Sequence, residues 1–588
     1  MCGIAGLVLG PLATLPGPGL GARFTAALAH RGPDGSGVHA AGRVLFAQTR
    51  LAIIDLETAQ QPLREHAGGG AALVANGEIY NYLALRRQLP GVRFMTSGDC
   101  EPPLHLFLQH GLKFADRLRG MYAIAIHDPA GRQVVLARDP FGIKPLYIAE
   151  LPHGVAFASE PQALIAAGLV EARLNPTARD EMLELQFSTG VETPFAGITR
   201  LAPGETLAIR DGRIVDRHRT RALPEGGPES ISEDAALARL DTALMQSVEL
   251  HLQSDVPYGL FLSGGIDSAA LLAAMARLET RAVLAFTAGF DHAGAPDERE
   301  AARTAARAAG ARHHEILVTE ADFWAHLPAI AACMDDPAAD YATLPTWLLA
   351  RAARPDAKVV LSGEGGDEMF GGYGRYRAAM RPWWLGGKIL RPRGILSRLG
   401  LRRLPVPGWR DGIDAAAAQA ASPGRTRLMG AQATDIADWL PNDLLTKLDR
   451  CLMAHGVEGR TPYLDQAVTA AAFRLPDALK VRDGRGKYLL RQWLAQHFPA
   501  ARPFAPKQGF TVPIGPWIFA KGASLGPLVA RQPGVAELCD AGRVTQLFAR
   551  GGNKHAAFAA WTLLFYALWH RQHIEGVRRQ GGVFDVLA

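Results

Sequence analysis

Cys2 is the earliest residue of the chain that could act as a nucleophile, and only Met1 precedes it. Removal of Met1 would leave Cys2 with a free α-amine, whose unperturbed pKa of about 8 lets it act as a base toward the thiol. A cysteine that begins an apolar segment is also an ordinary small buried residue. Taken alone, Cys2 favours this second interpretation, so a catalytic role depends on the rest of the sequence.

Two glycine-rich segments in the second half of the chain could bind phosphate groups. In the first, the apolar run Tyr258–Leu262 leads directly into Ser263–Ser268, which reads Ser-Gly-Gly-Ile-Asp-Ser. Glycines allow backbone N–H groups to converge on an anion, and the helix predicted to follow adds partial positive charge at its N-terminus. Among phosphates Asp267 would serve Mg²⁺, which prefers carboxylate oxygens. In a plain strand-to-helix turn the same aspartate would only cap the helix.

The second glycine-rich segment, Ser362–Gly372, follows another apolar run and holds three acids among five glycines. The acids are Glu364, Asp367 and Glu368. Because loops at the carboxyl ends of parallel strands line one crevice, we expect both glycine-rich segments to face one nucleotide. A flexible surface turn would not require so many acids.

The elements that must position these residues are, in the first third, mainly short strands. Turns rich in Gly, Asp and Pro separate them, and Pro129–Arg132 is typical of a hairpin connection. Because strands outnumber helices here, we expect an antiparallel α+β domain. The predicted strands are Ile4–Leu9, Val44–Ala47, Leu73–Asn76, Ala123–His127, Gln133–Arg138 and Val155–Ala158, and the predicted helices are Tyr80–Leu89 and Pro102–His110.

Strands and helices alternate in the second part of the chain, which predicts an α/β domain with a parallel sheet and helical additions. The Pro-, Gly- and Ser-containing stretch 216–233 is a predicted linker, so the expected domains are 1–215 and 234–588. Residues 376–450 show no clear pattern. The predicted helices are Asp234–Leu252, one from Asp267 and Glu298–Ala309, and the predicted strands are Tyr258–Leu262, Ala282–Thr287, His314–Val318 and Lys358–Leu361.

The composition is that of a folded soluble protein, with 48% hydrophobic and 20% charged residues and a formal net charge of +6. Five cysteines do not suit a disulfide framework, and the N-terminus lacks a positively charged leader, so we expect a cytoplasmic protein. The longest apolar run, Ala556–Trp569, is shorter than the about 20 residues of a membrane span and predicts a buried helix. The arginines between Arg391 and Arg403 are compatible with a nucleic-acid patch, but a solvated loop is the preferred expectation. Neither nucleic acid nor membrane is an expected partner.

The motifs resemble those of a known family. Ser263–Ser268 is similar to the pyrophosphate loop of ATP pyrophosphatases, and together with Leu361–Glu368 it resembles the glutamine-hydrolysing asparagine synthetases. The resemblance continues in order through Asp449–Asp465, Gly486–Arg491 and Pro506–Phe510. The first third resembles class II amidotransferases, which have an N-terminal nucleophile, at His30–Gly35, Arg50–Ile54, Asn76–Asn81 and Ser97–Glu101.

The resemblance implies that the C-terminal domain uses ATP to adenylate a carboxylate, which removes its charge and installs a leaving group. Asp267 and Asp367 would hold Mg²⁺, and Glu364 would act near the acceptor carboxylate. Lys487 would stabilise charge on the phosphates, although without the resemblance we would expect it on a solvated helix face. The implied ATP site comprises Phe261, Ser263, Gly264, Gly265, Asp267, Ser268, Ala288, Ser362, Gly363 and Asp367.

The same resemblance makes Cys2 the nucleophile that hydrolyses glutamine and releases ammonia. Asn76 and the N–H of Gly77 would form the oxyanion hole, although Asn-Gly alone is only a hairpin turn signal. The guanidinium of Arg50 would bind the glutamine carboxylate. Glu78 and Asp99 would bind its amine, and the implied glutamine site comprises Arg50, Leu51, Ile53, Asn76, Gly77, Glu78 and Asp99. The remaining cysteines, Cys100, Cys333, Cys451 and Cys539, are expected to be structural.

Three functions are compatible with these motifs. The first is synthesis of asparagine from aspartate, ATP and glutamine, and the second is the same chemistry on another carboxylate, such as a peptide, a sugar acid or a β-lactam precursor. The third is a non-catalytic binding protein, against which the complete set of site residues argues. An intact Cys2 argues against the β-lactam branch. Members of the family often dimerise, so the resemblance allows a homodimer, although the sequence does not give the oligomeric state. Five residues depart from the commonest family pattern, and they put the identity of the acceptor in doubt more than the class of reaction: Gly98, Cys451, Gly459, Thr461 and Tyr463.

Overall fold

The structure is a computed structural model, and it describes residues 2–17, 19–66, 69–292, 298–385, 387, 390–391, 393–505, 512–577 and 579–588. Met1 and the family-like segment Pro506–Phe510 lie outside the described residues. Within the described part, no helix is both long and apolar enough to cross a lipid bilayer.

The N-terminal domain is built on strands that form two antiparallel sheets. The strands are β1 (Cys2–Leu9), β2 (Gly35–Ala41), β3 (Val44–Arg50), β4 (Leu63–Arg64), β5 (Ala72–Ile79), β6 (Gly120–Asp128), β7 (Gln133–Arg138), β8 (Tyr147–Leu151), β9 (Gly154–Ala158), β10 (Thr199–Arg200), β11 (Glu205–Arg210) and β12 (Arg213–Arg219). The helices are α1 (Gly19–Ala27), α2 (Tyr82–Gln88), α3 (Pro102–His110), α4 (Pro161–Ala166) and α5 (Pro176–Leu185). The α+β expectation for this domain is therefore confirmed.

The two N-terminal sheets pack face to face around one apolar layer. Their strand orders are β10-β8-β9-β1-β3-β2 and β12-β11-β7-β6-β5-β4. Side chains from both sheets, such as Phe46, Phe157 and Leu136, fill the space between them. Because β1 lies between β9 and β3, all eight of its residues are buried, which explains its nearly unbroken apolar sequence.

The C-terminal domain has a parallel sheet surrounded by helices. Its strands are β13 (Tyr258–Phe261), β14 (Leu284–Phe290), β15 (Arg312–Val318), β16 (Val359–Leu361) and β17 (Glu458–Arg460), with a separate pair β18 (Val481–Arg482) and β19 (Arg485–Gly486). The helices up to residue 380 are α6 (Glu233–His251), α7 (Ile266–Leu278), α8 (Arg299–Ala308), α9 (Glu320–Cys333), α10 (Thr343–Ala353), α11 (Gly366–Phe370) and α12 (Gly374–Met380).

Further helices complete the C-terminal domain. They are α13 (Asp411–Gln419), α14 (Arg427–Thr434), α15 (Thr446–Met453), α16 (Gln466–Ala472), α17 (Asp477–Lys480), α18 (Tyr488–His497), α19 (Ile514–Ala520), α20 (Gly522–Ala530), α21 (Pro533–Ala536), α22 (Ala541–Arg550), α23 (Lys554–His573) and α24 (Val583–Leu587). A π-helix, Asp435–Leu445, joins α14 to α15. The sheet order β15-β14-β13-β16-β17, with every pair parallel, confirms the predicted α/β domain.

Most predicted elements are present, with shifts at their ends. The strand predicted over Ala282–Thr287 runs instead from Leu284 to Phe290. The apolar run in α23 is buried, as predicted. Between β12 and α6, residues 220–232 contain neither helix nor strand, and the domain limits stay a prediction.

The expectation that the arginines between Arg391 and Arg403 form a solvated loop is wrong for two of them. Arg391 lies over the rings of Phe187 and Trp439, at 5.1 and 4.9 Å from their centroids. Arg402 has a side chain only 5% exposed and pairs with Asp180 at 2.6 Å. Aromatic rings and carboxylates elsewhere in the fold hold these cations, which the local sequence does not reveal.

Candidate active site

Cys2 is placed by the register of the first sheet. It is the first residue of β1 and pairs with Arg50 of β3, and the residue is only 7% exposed. Its backbone N–H donates a hydrogen bond of 3.0 Å to Oδ1 of Asn76, which lies in the second sheet. Nδ2 of Asn76 is buried and has no hydrogen-bond partner among the described residues. A buried amide donor left unsatisfied beside a thiol is suited to an anionic oxygen on a ligand.

Gly77 follows Asn76 in a space that only glycine fits. A Cβ at this position would lie 2.2 Å from the carbonyl oxygen of Met121 in β6. Any side chain would therefore push β5 and β6 apart and displace Asn76.

The Arg50 guanidinium is held by backbone carbonyls. It donates to the oxygen of Leu56 at 3.2 Å and to that of Asp55 at 2.5 Å. Leu51 and Ile53, which continue the same segment, pack in one buried cluster with Val359 and Met453 of the C-terminal domain. The predicted glutamine segment thus lies at the interface between the N-terminal and C-terminal domains.

Glu78 and Asp99 form a buried acidic pair in the same region. Oδ2 of Asp99 accepts the N–H of Ile79 at 2.8 Å, directly after Glu78. Burial raises the pKa of both carboxyl groups, and the charge of Asp99 raises the pKa of Glu78 further. Because burial and mutual repulsion disfavour the charged forms of these two carboxyl groups, the ammonium group of a ligand would stabilise those charged forms.

The first glycine-rich segment is a tight turn closed by two serines. Oγ of Ser268 accepts the N–H of Ser263 at 3.0 Å, and Oγ of Ser263 accepts the N–H of Gly265 at 3.0 Å. The turn leads into the N-terminus of α7, with Asp267 in its first turn. This is the strand–turn–helix geometry that suits phosphate.

Lys487 joins the two glycine-rich segments. Its Nζ contacts Oδ2 of Asp267 and lies 2.7 Å from Oδ1 of Asp367. Burial alone would lower the pKa of Lys487, but the two carboxylates raise it above its ordinary value. With 6% exposure, Lys487 does not lie on a solvated helix face, so the expectation drawn without the family is wrong.

A cavity of about 280 Å³ opens beside these groups. Its walls include five of the predicted ATP or phosphate residues: Gly264, Gly265, Asp267, Asp367 and Lys487. Phe261 ends β13 and Ala288 lies in β14, but neither lines this cavity, nor do Ser263, Ser268, Ser362 or Gly363. Among the described residues, no group of three or more His, Cys, Asp or Glu side chains is arranged to hold a metal ion.

Glu364 faces a separate group of charges. Its Oε1 lies 3.6 Å from Nζ of Lys447, which also pairs with Asp340 at 3.0 Å. Burial raises the pKa of Glu364, and burial with the charge of Asp340 raises the pKa of Asp443 to about 7. Lys447 therefore neutralises only part of the negative charge that Glu364, Asp340 and Asp443 can carry.

Sequence reasoning did not assign the buried ion network between the domains. Arg31 donates to Asp449 at 2.8 and 3.0 Å and to Glu160 at 2.7 Å, and Arg450, which pairs with Asp335 of its own domain at 2.8 Å, lies 3.9 Å from Glu160. Arg460 lies 3.3 Å from Glu78. The sequence feature that could have predicted this network is the presence of charged residues among apolar ones in the segment Asp449–Asp465.

Fold and site together define a two-domain amidotransferase, in which a nucleophile domain is joined to an α/β synthase domain. A family model described as "Glutamine amidotransferase domain" matches residues 1–219, and one described as "Asparagine synthase" matches residues 239–571. The chain belongs to the glutamine-hydrolysing asparagine synthetase family and is a ligase.

Curated relatives resemble the chain over most of its length. A Mycobacterium tuberculosis protein provisionally named a glutamine-hydrolysing asparagine synthetase is 36% identical, with 98% of each chain covered. "Asparagine synthetase [glutamine-hydrolyzing] 1" of Bacillus subtilis is 32% identical, with 93% of each covered. "Asparagine synthetase B [glutamine-hydrolyzing]" of Escherichia coli is 29% identical, over 83% of this chain and 78% of that protein.

Proposed function

We propose that the chain converts aspartate, ATP and glutamine into asparagine, AMP, pyrophosphate and glutamate. The observation that carries the proposal is the position of β17. The side chain of Arg460 in this strand lies 3.3 Å from Glu78, in the same region as Cys2. The carbonyl oxygen of Arg460 accepts a hydrogen bond from the N–H of Ser362 in the second glycine-rich segment. The proposed site of ammonia release and the proposed phosphate-binding site are therefore both in contact with β17. Residues 1–215 would form the glutaminase, 216–233 the linker and 234–588 the synthetase.

In the proposed glutaminase reaction, the Cys2 sulfur attacks the side-chain amide carbon of glutamine. Burial raises the pKa of the Cys2 thiol, so it needs a base, and the α-amine exposed by loss of Met1 would take its proton. Nδ2 of Asn76 would donate to the developing oxyanion. The C–N bond then breaks, ammonia leaves with that proton, and water hydrolyses the thioester to glutamate. Arg50, Glu78 and Asp99 would hold the carboxylate and the amine of glutamine.

In the proposed synthetase reaction, an oxygen of the acceptor carboxylate attacks the α-phosphorus of ATP and pyrophosphate leaves. Ammonia then attacks the acyl carbon, and the C–O bond to AMP breaks. Lys487 would stabilise the negative charge that accumulates on the phosphates. Asp267 and Asp367 fit Mg²⁺, because their carboxylates lie close together on either side of the Lys487 ammonium group. In nucleotide sites Mg²⁺ is held by one or two carboxylates plus phosphates. Bound there, it would supply charge neutralisation.

A direct test is to incubate the protein with glutamine, Mg-ATP and aspartate and to measure asparagine, AMP and glutamate. We expect all three in equal amounts. AMP formation that does not depend on aspartate would exclude aspartate as the acceptor.

Cys2→Ala separates the two half-reactions. We expect it to abolish glutamine use while synthesis from added ammonium continues, since the ATP cavity lies in the other domain. The measurement is asparagine formed from glutamine and from ammonium chloride in parallel. Equal loss of both activities would contradict the two-site proposal.

A second acceptor class is favoured by the surroundings of Glu364. Asp340 and Asp443 add two further carboxyl groups near Lys447, and such a chamber suits a carboxylate that carries a positive charge or several hydrogen-bond donors. A peptide or a sugar acid could provide these groups. AMP release that depends on such acceptors, and not on aspartate, would support this alternative.

A further inference from the structure

The short strand β17 contacts the N-terminal domain through Gly459 and Arg460 and the parallel sheet of its own domain through β16. On one side, the carbonyl oxygen of Gly459 accepts Nζ of Lys144 at 3.3 Å, and Nη2 of Arg460 lies 3.3 Å from Oε1 of Glu78. On the other side, β17 pairs with β16, and the carbonyl oxygen of Arg460 accepts the N–H of Ser362 at 2.8 Å. Ser362 is the first residue of the second glycine-rich segment.

The guanidinium of Arg460 is completely buried and held unequally by its neighbours. Nε donates to Glu458 at 2.6 Å, and Nη1 donates to the carbonyl oxygens of His251 and Gln253 at 2.8 and 2.7 Å. Nη2 makes no hydrogen bond within the described residues, and Glu78 approaches it only as an ion pair. Arg460 is therefore bound firmly to its own domain, and it faces the glutamine region through an ion pair with Glu78 and through the ring of Tyr80, whose centroid lies 5.8 Å from its Cζ.

We propose that Arg460 is a positioning residue that couples the glutamine site to the ATP site. The inference rests on the proposed role of Glu78 as ligand of the glutamine amine. An ammonium group at Glu78 would compete with the Arg460 guanidinium for one carboxylate and repel it. Because three bonds tie the guanidinium to its own domain, the displacement would pass to the backbone of β17. The hydrogen bond to Ser362 carries it to the loop that holds Glu364 and Asp367.

Coupling of this kind is measurable as a change in ATP affinity when the glutamine site is filled. Glutamate γ-semialdehyde is a suitable probe, because its aldehyde carbon adds a cysteine sulfur and its oxygen takes the thiol proton. The dissociation constant of Mg-ATP is measured by titration calorimetry with and without this probe. Three proteins are compared: the unaltered chain, Arg460→Met, and Arg119→Met. Arg119 makes a matched control, since it also forms an ion pair between the domains, at 2.6 Å from Asp465, but does not contact β17.

We expect the probe to change the ATP dissociation constant of the unaltered chain by about five-fold or more, the lower end of typical coupling between sites. Arg119→Met should keep this change, and Arg460→Met should lose it while still binding ATP and the probe separately. A full response in Arg460→Met, or none in the unaltered chain although both ligands bind, would overturn the inference. Failure of the unaltered chain to bind ATP or the probe would instead contradict the proposed function.

Hydrogen exchange in the unaltered chain provides a test that does not depend on a folded variant. The Ser362 N–H is protected by the carbonyl oxygen of Arg460. Binding of glutamate γ-semialdehyde should change the exchange rate of a peptide spanning Ser362 by several-fold. It should leave unchanged a peptide from the buried centre of α23 (Lys554–His573). An exchange rate at Ser362 that ignores the probe would contradict the proposal.

Discussion

At the scale of single residues, the proposed glutaminase reaction divides the amide of Asn76 between two tasks. Its oxygen fixes the backbone N of Cys2 at 3.0 Å, and its nitrogen is left without a partner among the described residues. A buried unsatisfied donor costs roughly 1–3 kcal/mol, so the fold bears a local cost at this atom. An anionic oxygen of the substrate would relieve that cost only during reaction, which is the condition for catalysis rather than tight binding.

Asn76→Asp separates the two tasks, because aspartate keeps the acceptor oxygen and loses the donor. We expect kcat for glutamine hydrolysis to fall about 10²–10³-fold, as when one oxyanion donor is removed elsewhere. KM should change much less. Steady-state glutamate release gives both constants, and Asn76→Ala, which also frees the N of Cys2, serves for comparison. A kcat for Asn76→Asp within a few-fold of the unaltered enzyme would contradict this role.

At the scale of elements, two carboxylates and the ammonium group of Lys487 pack against the bare backbone of glycines in the second glycine-rich segment. A Cβ at Gly372 would lie 1.9 Å from Oδ1 of Asp367 and 2.2 Å from Cε of Lys487. A Cβ at Gly366 would lie 2.6 Å from Oδ1 of Asp267. These glycines set the positions of the charges directly, in addition to letting the chain turn.

Gly372→Ala should therefore weaken ATP binding by at least about ten-fold, which corresponds to about 1.4 kcal/mol. Gly430→Ala is the control, since Gly430 lies inside α14 and a Cβ there meets nothing within 4 Å. That control should leave ATP affinity unchanged and raise stability by about 0.5–1 kcal/mol. Titration with Mg-ATP and thermal unfolding measure the two effects. Normal ATP affinity in Gly372→Ala would refute this account of the cradle.

How much of these elements the sequence predicts depends on how their side chains are buried. The strands β1, β5, β6 and β7 were predicted because each is apolar over several residues and ends at a turn. The positions of the glycine-rich turns were predicted for the same reason, because each turn follows an apolar run that ends at a Ser-Gly pair. Strand β17 has only three residues, Glu-Gly-Arg, so no periodic pattern marks it. Its contacts, and those of Arg460, appear only in three dimensions.

Within the stretch 376–450, residues 431–450 are almost all buried although several of them are charged, so no hydrophobic pattern marks them. Arg375 lies 3.9 Å from the ring centroid of Tyr373 and 4.0 Å from that of Trp439, and it pairs with the fully buried Asp435 at 2.8 Å. Charged residues inside a core obscure hydrophobic periodicity. The π-helix Asp435–Leu445 contains Pro441 and departs from the helical repeat that the prediction assumes.

At the scale of the whole molecule, buried carboxyl groups connect stability to pH. Glu368 is 1% exposed, and burial together with the charge of Asp367 raises its pKa to about 8. An unfolded glutamate titrates near pH 4.3, so between roughly 4.3 and 8 the folded chain keeps a proton that the unfolded chain releases. The stabilising contribution is complete below the unfolded pKa and is lost as the pH rises through the folded pKa.

Glu368→Gln removes this titration while keeping a similar shape. The free energy of unfolding of the unaltered protein minus that of the variant should decrease as the pH rises from about 5 to about 8, by at most about 1.4 kcal/mol per unit. Urea unfolding at several pH values measures the difference. A difference that stays constant, or that grows with pH, would contradict the assignment of a proton to Glu368.

The late position of β17 in the chain also affects the protein during its synthesis. The last strand of the N-terminal sheets ends at Arg219, and β17 begins only at Glu458, more than two hundred residues later. Ribosomes add roughly 5–20 residues per second, and domains near the N-terminus fold first, so tens of seconds separate the two events. During that interval Glu78 has no Arg460 beside it. A nascent chain therefore completes the Cys2 region before the strand that joins it to the second site has been translated.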